Sequence, residues 1–211
     1  LSAARVNPEG VASLLRARIS NASSEELRES TRGRRALVWA LELLADRKRT
    51  FEDAEEALFR LAVAENESYA NNATGVWLGL FSVELNTTHR SLDRRLALLS
   101  RRLDDSTAQE RALVIRALVH VIELEHMRRV GERQDGDPMP ATLEEARTAR
   151  SRAWALLARA TSLDDVGTDA RSAMIANLRG MCRVGLAQAA ADTLLGALDR
   201  FDDQERAQLR S

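Results

Sequence analysis

Residue types that interrupt helices are scarce in this chain of 211 residues. Proline occurs three times and glycine ten times. β-Branched residues are sparse too, which leaves a sheet little to build on. Cys182 is the single cysteine; it excludes an internal disulfide and suits a reducing, cytoplasmic compartment. The longest apolar run, 75–83, is too short to span a bilayer. No N-terminal stretch has the charged-then-apolar build of a signal peptide. The four N-x-[ST] matches at Asn21, Asn66, Asn72 and Asn86 are therefore read as chance matches, because glycosylation requires secretion. An excess of one charge is also missing. Thirty-one basic residues face 32 acidic ones, for a net charge of −1, so no global field points at nucleic acid or membrane.

What is abundant is Ala, Leu, Arg and Glu, all good helix formers. Hydrophobic residues make up 45% and charged residues 30%, and the length allows a sizeable core. These features predict an all-α chain. Lys48 is the lone lysine; so strong a bias to arginine fits a GC-rich genome or a preference for bidentate anion contacts. The chain starts at "LSAARV" without methionine, as expected of a segment of a longer protein.

Capping and periodicity mark nine or ten helices. Asn7-Pro8 opens the first, and Ser23 with Glu26 forms a capping-box pattern. Residues 34–46 place Leu37, Ala40, Leu41 and Leu44 on one face. Thr50 is expected to cap 51–65, where Ala54, Ala57, Leu58, Leu61 and Ala62 form a buried stripe opposite Glu52, Asp53, Glu56 and Arg60. Asn71 or Asn72 is positioned to cap 73–85, Ser91 to cap 92–102, and Ser106 with Gln109 to open a long central helix over 110–130. Residues 131–141 hold two glycines and two prolines and form the best candidate boundary, dividing 1–130 from 142–211. Thr142 with Glu145 then opens 143–160. Asp164 or Asp165 caps a helix through 170–185, another covers 186–201, and a short terminal helix closes the chain. Many short-linked helices form bundles or stacked pairs. The recurrence of "RALV" at 35–38 and 111–114 favours stacking, as an irregular, HEAT-like α-solenoid.

The search for chemistry finds no complete catalytic constellation, which predicts a non-enzyme without cofactor or metal. His120, Glu123 and His126 are candidate metal ligands. Glu123-x-x-His126 is the pair used in di-iron bundles, but the second pair and further carboxylates are missing. Cys182, flanked by apolar residues, is expected to be buried and inert. No phosphate-binding glycine loop is present. Paired arginines near helix ends fit the macrodipole, yet Arg94, Arg95, Arg101 and Arg102 can line one stripe and are the candidate binding residues for an acidic partner. Interleaved acidic residues argue against direct nucleic-acid binding. Trp39, Trp77 and Trp154 all lie in apolar helical segments and are expected to pack in the core.

Three stretches carry a family resemblance when taken together: "RRALVWALELLADRKRTFEDAEEALFRLA", "YANNATGVWLGLFSVELNTTHRSLDRRLALL", and "PATLEEARTARSRAWALLARA" followed by "RSAMIANLRGMCRVGLAQAAADTLLGAL". Their order resembles the C-terminal helical-repeat region of large bacterial STAND-type, NLR-like NTPases, several of which act in antiphage defence. The resemblance implies a right-handed α-solenoid that senses a protein trigger, of phage origin in such systems, and releases an inhibited upstream NTPase. Within it, Tyr69, Asn71 and Asn72 read as a structural joint. One asparagine caps the next helix, a second amide binds carbonyls of a neighbouring hairpin, and Tyr69 packs as a staple. Two alternatives stay open: a stand-alone cytosolic scaffold that binds a protein, and a helical-bundle metal enzyme at His120, Glu123 and His126.

Overall fold

The computed structural model describes residues 2–30, 32–68, 71–84, 86–123 and 140–210. Among them are twelve α-helices, one 3₁₀ turn and no strand. The described residues divide into two compact units. One comprises those up to Leu80 together with Asn86–Ser91; the other comprises those within Phe81–Leu85, Leu92–Val130 and Pro140–Ser211. The division thus falls near residues 80–92. Nearly all of the candidate boundary at 131–141 lies outside the described residues.

The first unit holds α1 (Ser2–Val6), α2 (Pro8–Ser20), α3 (Ser24–Glu29), α4 (Arg34–Ala45), α5 (Phe51–Val63) and α6 (Ala73–Gly79). Asn7 accepts from the Gly10 backbone N–H at the start of α2, with Pro8 at the first helical position. Ser23 and Glu26 exchange both bonds of a capping box on α3. Gly33 enters α4 at φ +81°, a left-handed conformation that a side chain would strain. The centre is α5, which packs against α2, α3, α4 and α6. Its stripe of Ala54, Ala57, Leu58, Leu61 and Ala62 is buried. So are Phe51, Glu55 and Phe59, because neighbours on several sides cover more of the helix than one amphipathic face would need. Thr50 makes no side-chain cap on α5. Its hydroxyl donates to Leu44 O at the end of α4 instead.

The second unit holds α7 (Leu92–Asp105), α8 (Ala108–Ile122), α9 (Leu143–Ala160), α10 (Gly167–Arg183), α11 (Ala187–Leu195), the 3₁₀ turn Leu198–Arg200 and α12 (Asp203–Arg210). Its principal packed pairs join neighbours or next neighbours in the chain: α7 with α8 and α9, α8 with α9 and α10, α9 with α10 and α11, and α10 with α11 and α12. The capping box of α8 lies one residue later than expected, on Thr107 and Glu110. That of α9 is on Thr142 and Glu145 as the sequence indicates. Neither Asp164 nor Asp165 caps α10; its N-cap is Val166, and Asp165 pairs with Arg111. At the other end of α10, Gly185 at φ +78° closes a Schellman turn, with Leu186 N donating to Met181 O and Gly185 N to Cys182 O.

Two expected helices are shorter than their apolar runs. The segment read as 73–85 is helical only to Gly79. The long central helix ends at Ile122, where Glu123 turns to ψ 141°. Apolar content says that a segment is buried, not which backbone it adopts when buried; α6 stops at a glycine, Gly79, inside its apolar run, whereas the end of α8 at Ile122 carries neither glycine nor proline.

Candidate functional site

The predicted arginine stripe does not form as a surface. Arg94 and Arg101 are exposed on α7 and Arg102 is half-buried. Arg95 is 1% exposed, with Nη1 donating to Ser82 O at 3.1 Å. The physical reason is helix geometry: 94 and 101 share one line along the helix, while 95 and 102 lie about 100° round, and that second line turns toward the interior beside Leu99 and Leu103. Arg95 therefore serves the chain itself. It holds the irregular segment before α7, together with His120, whose Nε2 is 3.0 Å from Ser82 Oγ, and Arg150, which pairs with Glu84 and donates from Nε to Ile122 O. Ser82 is buried, so its contact with the imidazole fastens the segment rather than presenting a hydroxyl to a substrate.

Of the candidate metal ligands, only two fall among the described residues. His120 is committed to Ser82, Glu123 has left the helix, and His126 lies outside the described residues. Among the described residues no group of three or more His, Cys, Asp or Glu is arranged to hold a metal ion. Cys182 is exposed rather than buried, since α10 turns Met174 and Met181 inward instead. Trp77 and Trp154 are core residues as expected. The Trp77 indole N–H donates to the buried Glu55 carboxylate at 2.7 Å, and that of Trp154 to Ala190 O at 3.1 Å. Trp39 departs from the expectation: it is 37% exposed, with the Arg35 guanidinium 4.8 Å from its ring centroid.

Around the asparagines the structure separates residues that the sequence groups. Asn72 caps α6, its Oδ1 accepting from Gly75 N at 2.8 Å and its Nδ2 donating to Glu67 O at 2.6 Å. The amide that reaches a neighbouring helix is that of Asn66, which donates to Arg28 O of α3. Asn71 is exposed and bonds to none of the described residues. Tyr69 lies outside them.

Asn71 instead stands at a cavity of about 130 Å³ between α4 and α6. Its polar lining comes from Glu42, Asn71 and Thr87. The remainder is apolar or backbone: Val76, Leu80 and the glycines Gly75 and Gly79. The Glu42 backbone carbonyl accepts from Asp46 N, but its carboxylate forms neither an ion pair nor a hydrogen bond with a described residue. Although the residue as a whole is exposed, the atoms around the cavity displace enough water to hold its carboxyl above the ordinary glutamate range. Thr87 Oγ1 donates to Gly79 O at 3.3 Å, which leaves its lone pairs for an incoming donor. Gly79 has no conformational need to be glycine: its φ is not positive, and a Cβ built there meets nothing within 4 Å.

This cavity escaped the sequence reading. A faint signal was present in two places: Glu42 is a lone acid inside the apolar run "VWALELLA", and Gly79 interrupts "VWLGLF". Neither connects the two segments without the packing of α4 on α6. Comparison with family models, curated proteins and solved structures yields no match to this chain.

Proposed function

We propose that this chain is a non-enzymatic helical-repeat recognition module that binds a protein, and that it is the C-terminal sensor segment of a bacterial defence STAND NTPase. The observation that carries the binding reading is the exposed face of α4. Trp39 lies there under the Arg35 guanidinium, one turn before Glu42 and its cavity. Tryptophan and arginine are the residues that most often anchor protein interfaces, and an exposed tryptophan is costly to keep in water. The pairing of α7 to α12 between neighbours and next neighbours supports a stack of helix hairpins, as in a right-handed α-solenoid. The three stretches that resemble STAND NTPase repeats supply the biological context, in which the trigger is a protein of phage origin.

Two measurements test this. Coding sequence for an NTPase core in the same frame upstream of Leu1 supports the sensor assignment; a complete short gene without one overturns it and leaves a stand-alone scaffold. A photo-crosslinking residue at position 39, in cells challenged with phage, is expected to capture a discrete protein. The same residue at the exposed Ala176 of α10 serves as the control. Equal labelling from both positions overturns α4 as the binding face.

A further inference from the structure

Other acidic groups of the first unit have found cations. Arg34 takes Glu65 and Glu67, Arg16 takes Asp53, Arg90 takes Glu52 and Arg49 takes Glu9. Glu42 has none, although it stands at a concave position where its carboxyl is partly dehydrated. Beside it stand two more oxygen acceptors that are not used up, the Asn71 side chain and the Thr87 hydroxyl. The opposite wall is uncharged and includes Gly79. A glycine in a helix is less favourable than alanine, and here neither φ nor a neighbour requires it. Its effect is to leave the wall open.

We propose that this cavity is the anchor pocket for an arginine side chain presented by the protein partner, with Glu42 accepting the guanidinium and Val76 and Leu80 flanking its methylenes. The proposal rests on the reading of this chain as a protein-binding module and names what that partner must offer. A guanidinium suits the site better than an ammonium. It presents five donors in a planar fork, which fits a two-oxygen carboxylate plus separate acceptors on Asn71 and Thr87. It is also more weakly hydrated, so it loses less on entering a partly dehydrated cavity. Trp39, three residues before Glu42 and on the same face of α4, offers its ring to whatever flanks the arginine.

The test uses the full chain, ¹⁵N-labelled, titrated with three capped tripeptides: Gly-Arg-Gly, its neutral citrulline isostere, and Gly-Lys-Gly. The arginine peptide should shift the backbone amides of Gly75, Gly79 and Thr87 with a Kd on the order of 1 mM, as expected for one charge-assisted contact. Citrulline and lysine peptides should bind at least about tenfold more weakly. Glu42→Gln, which keeps the shape and removes the charge, should cost at least about tenfold. Gly79→Leu, whose Cβ enters open space and whose side chain occupies the cavity, should abolish the shifts while the rest of the spectrum stays folded. Shifts equal for citrulline, equal for lysine, or unchanged in Glu42→Gln overturn the proposal. If they do so while the crosslink from position 39 persists, the module still binds a protein and only the arginine anchor fails. Loss of that crosslink while the peptide result holds leaves the pocket and removes the partner reading.

Discussion

The two units handle buried charge differently. In the first, Arg34 lies 1% exposed at the start of α4 and spends its donors on helix ends, Leu27 O at 2.6 Å and Leu61 O at 2.9 Å, beside Glu65 and Glu67. In the second, Arg95 and Arg150 hold the irregular residues 82–84 and the end of α8. Packing differs as well. The first unit gathers four helices around α5, including pairs three apart in the chain such as α2 with α5, whereas in the second the packed pairs are neighbours and next neighbours. A helix surrounded on several sides leaves more carbonyls and carboxylates inside, and each must be paired there. Charge that remains unpaired in such a unit is therefore informative, and Glu42 is the instance at a cavity.

The sharpest way to break this comparison is to remove the buried cations. Arg34→Met strips three carbonyls, those of Leu27, Leu61 and Ala64, and two acids of their partner, Glu65 being only 10% exposed. It should cost about 3–5 kcal/mol in urea unfolding. Arg150→Met should cost less, about 1–3 kcal/mol, because Glu84 is 39% exposed and regains water. Equal losses would mean that the two arginines do the same work.

The asparagines provide the next test. Asn72→Ala should lower stability by about 0.5–2 kcal/mol, the usual range for an N-cap. Asn71→Ala should stay within about 0.5 kcal/mol, as surface positions do. Thermal unfolding of the two single variants decides it, and a reversed order would return Asn71 to a structural role. In the opposite direction, Gly79→Ala should raise stability by about 0.5–1 kcal/mol. A loss would show that something the size of a methyl does not fit there.

The smallest effects are in pH dependence. Glu26 and Glu145 accept capping bonds from Ser23 and Thr142, which lower their carboxyls below the ordinary range. A lowered folded-state value adds stability that is present above the unfolded-state value and lost as pH falls through the lowered one. Glu42 has the opposite sign. Its contribution is favourable below the ordinary value and is lost as pH rises through the raised one. Carboxyl-detected NMR titration should find Glu42 protonating first as the solution is acidified, before Glu26 and Glu145. Peptide binding at the cavity should fade over that same first step. Titration of all three together would remove the distinction.

Much of the secondary structure was legible because it is encoded locally. The Asn7-Pro8 start, the boxes at Ser23 and Thr142 and the stripe on α5 each require only residues within one or two turns of one another. Capping shifted by one residue at Thr107 because Ser106 and Thr107 offer the same hydroxyl, and only the backbone path chooses between them. Composition likewise indicated an all-α chain, and among the described residues no helix is long and apolar enough to cross a membrane.

What tertiary structure decided is which side of each helix faces inward, and hence the role of every ambiguous residue. Arg95 and Arg102 occupy equivalent positions two turns apart, yet Arg95 is enclosed because Ser82 O lies within its reach. Trp39 and Trp77 sit in equally apolar segments, but only Trp77 has a buried acceptor, Glu55, for its indole N–H. Glu42, Asn71, Gly79 and Thr87 come from separate segments and become one cavity only where α6 lies on α4. Helix propensity and capping are settled over a few residues, whereas burial and pairing depend on which distant segment arrives opposite, and that is a property of the folded chain as a whole.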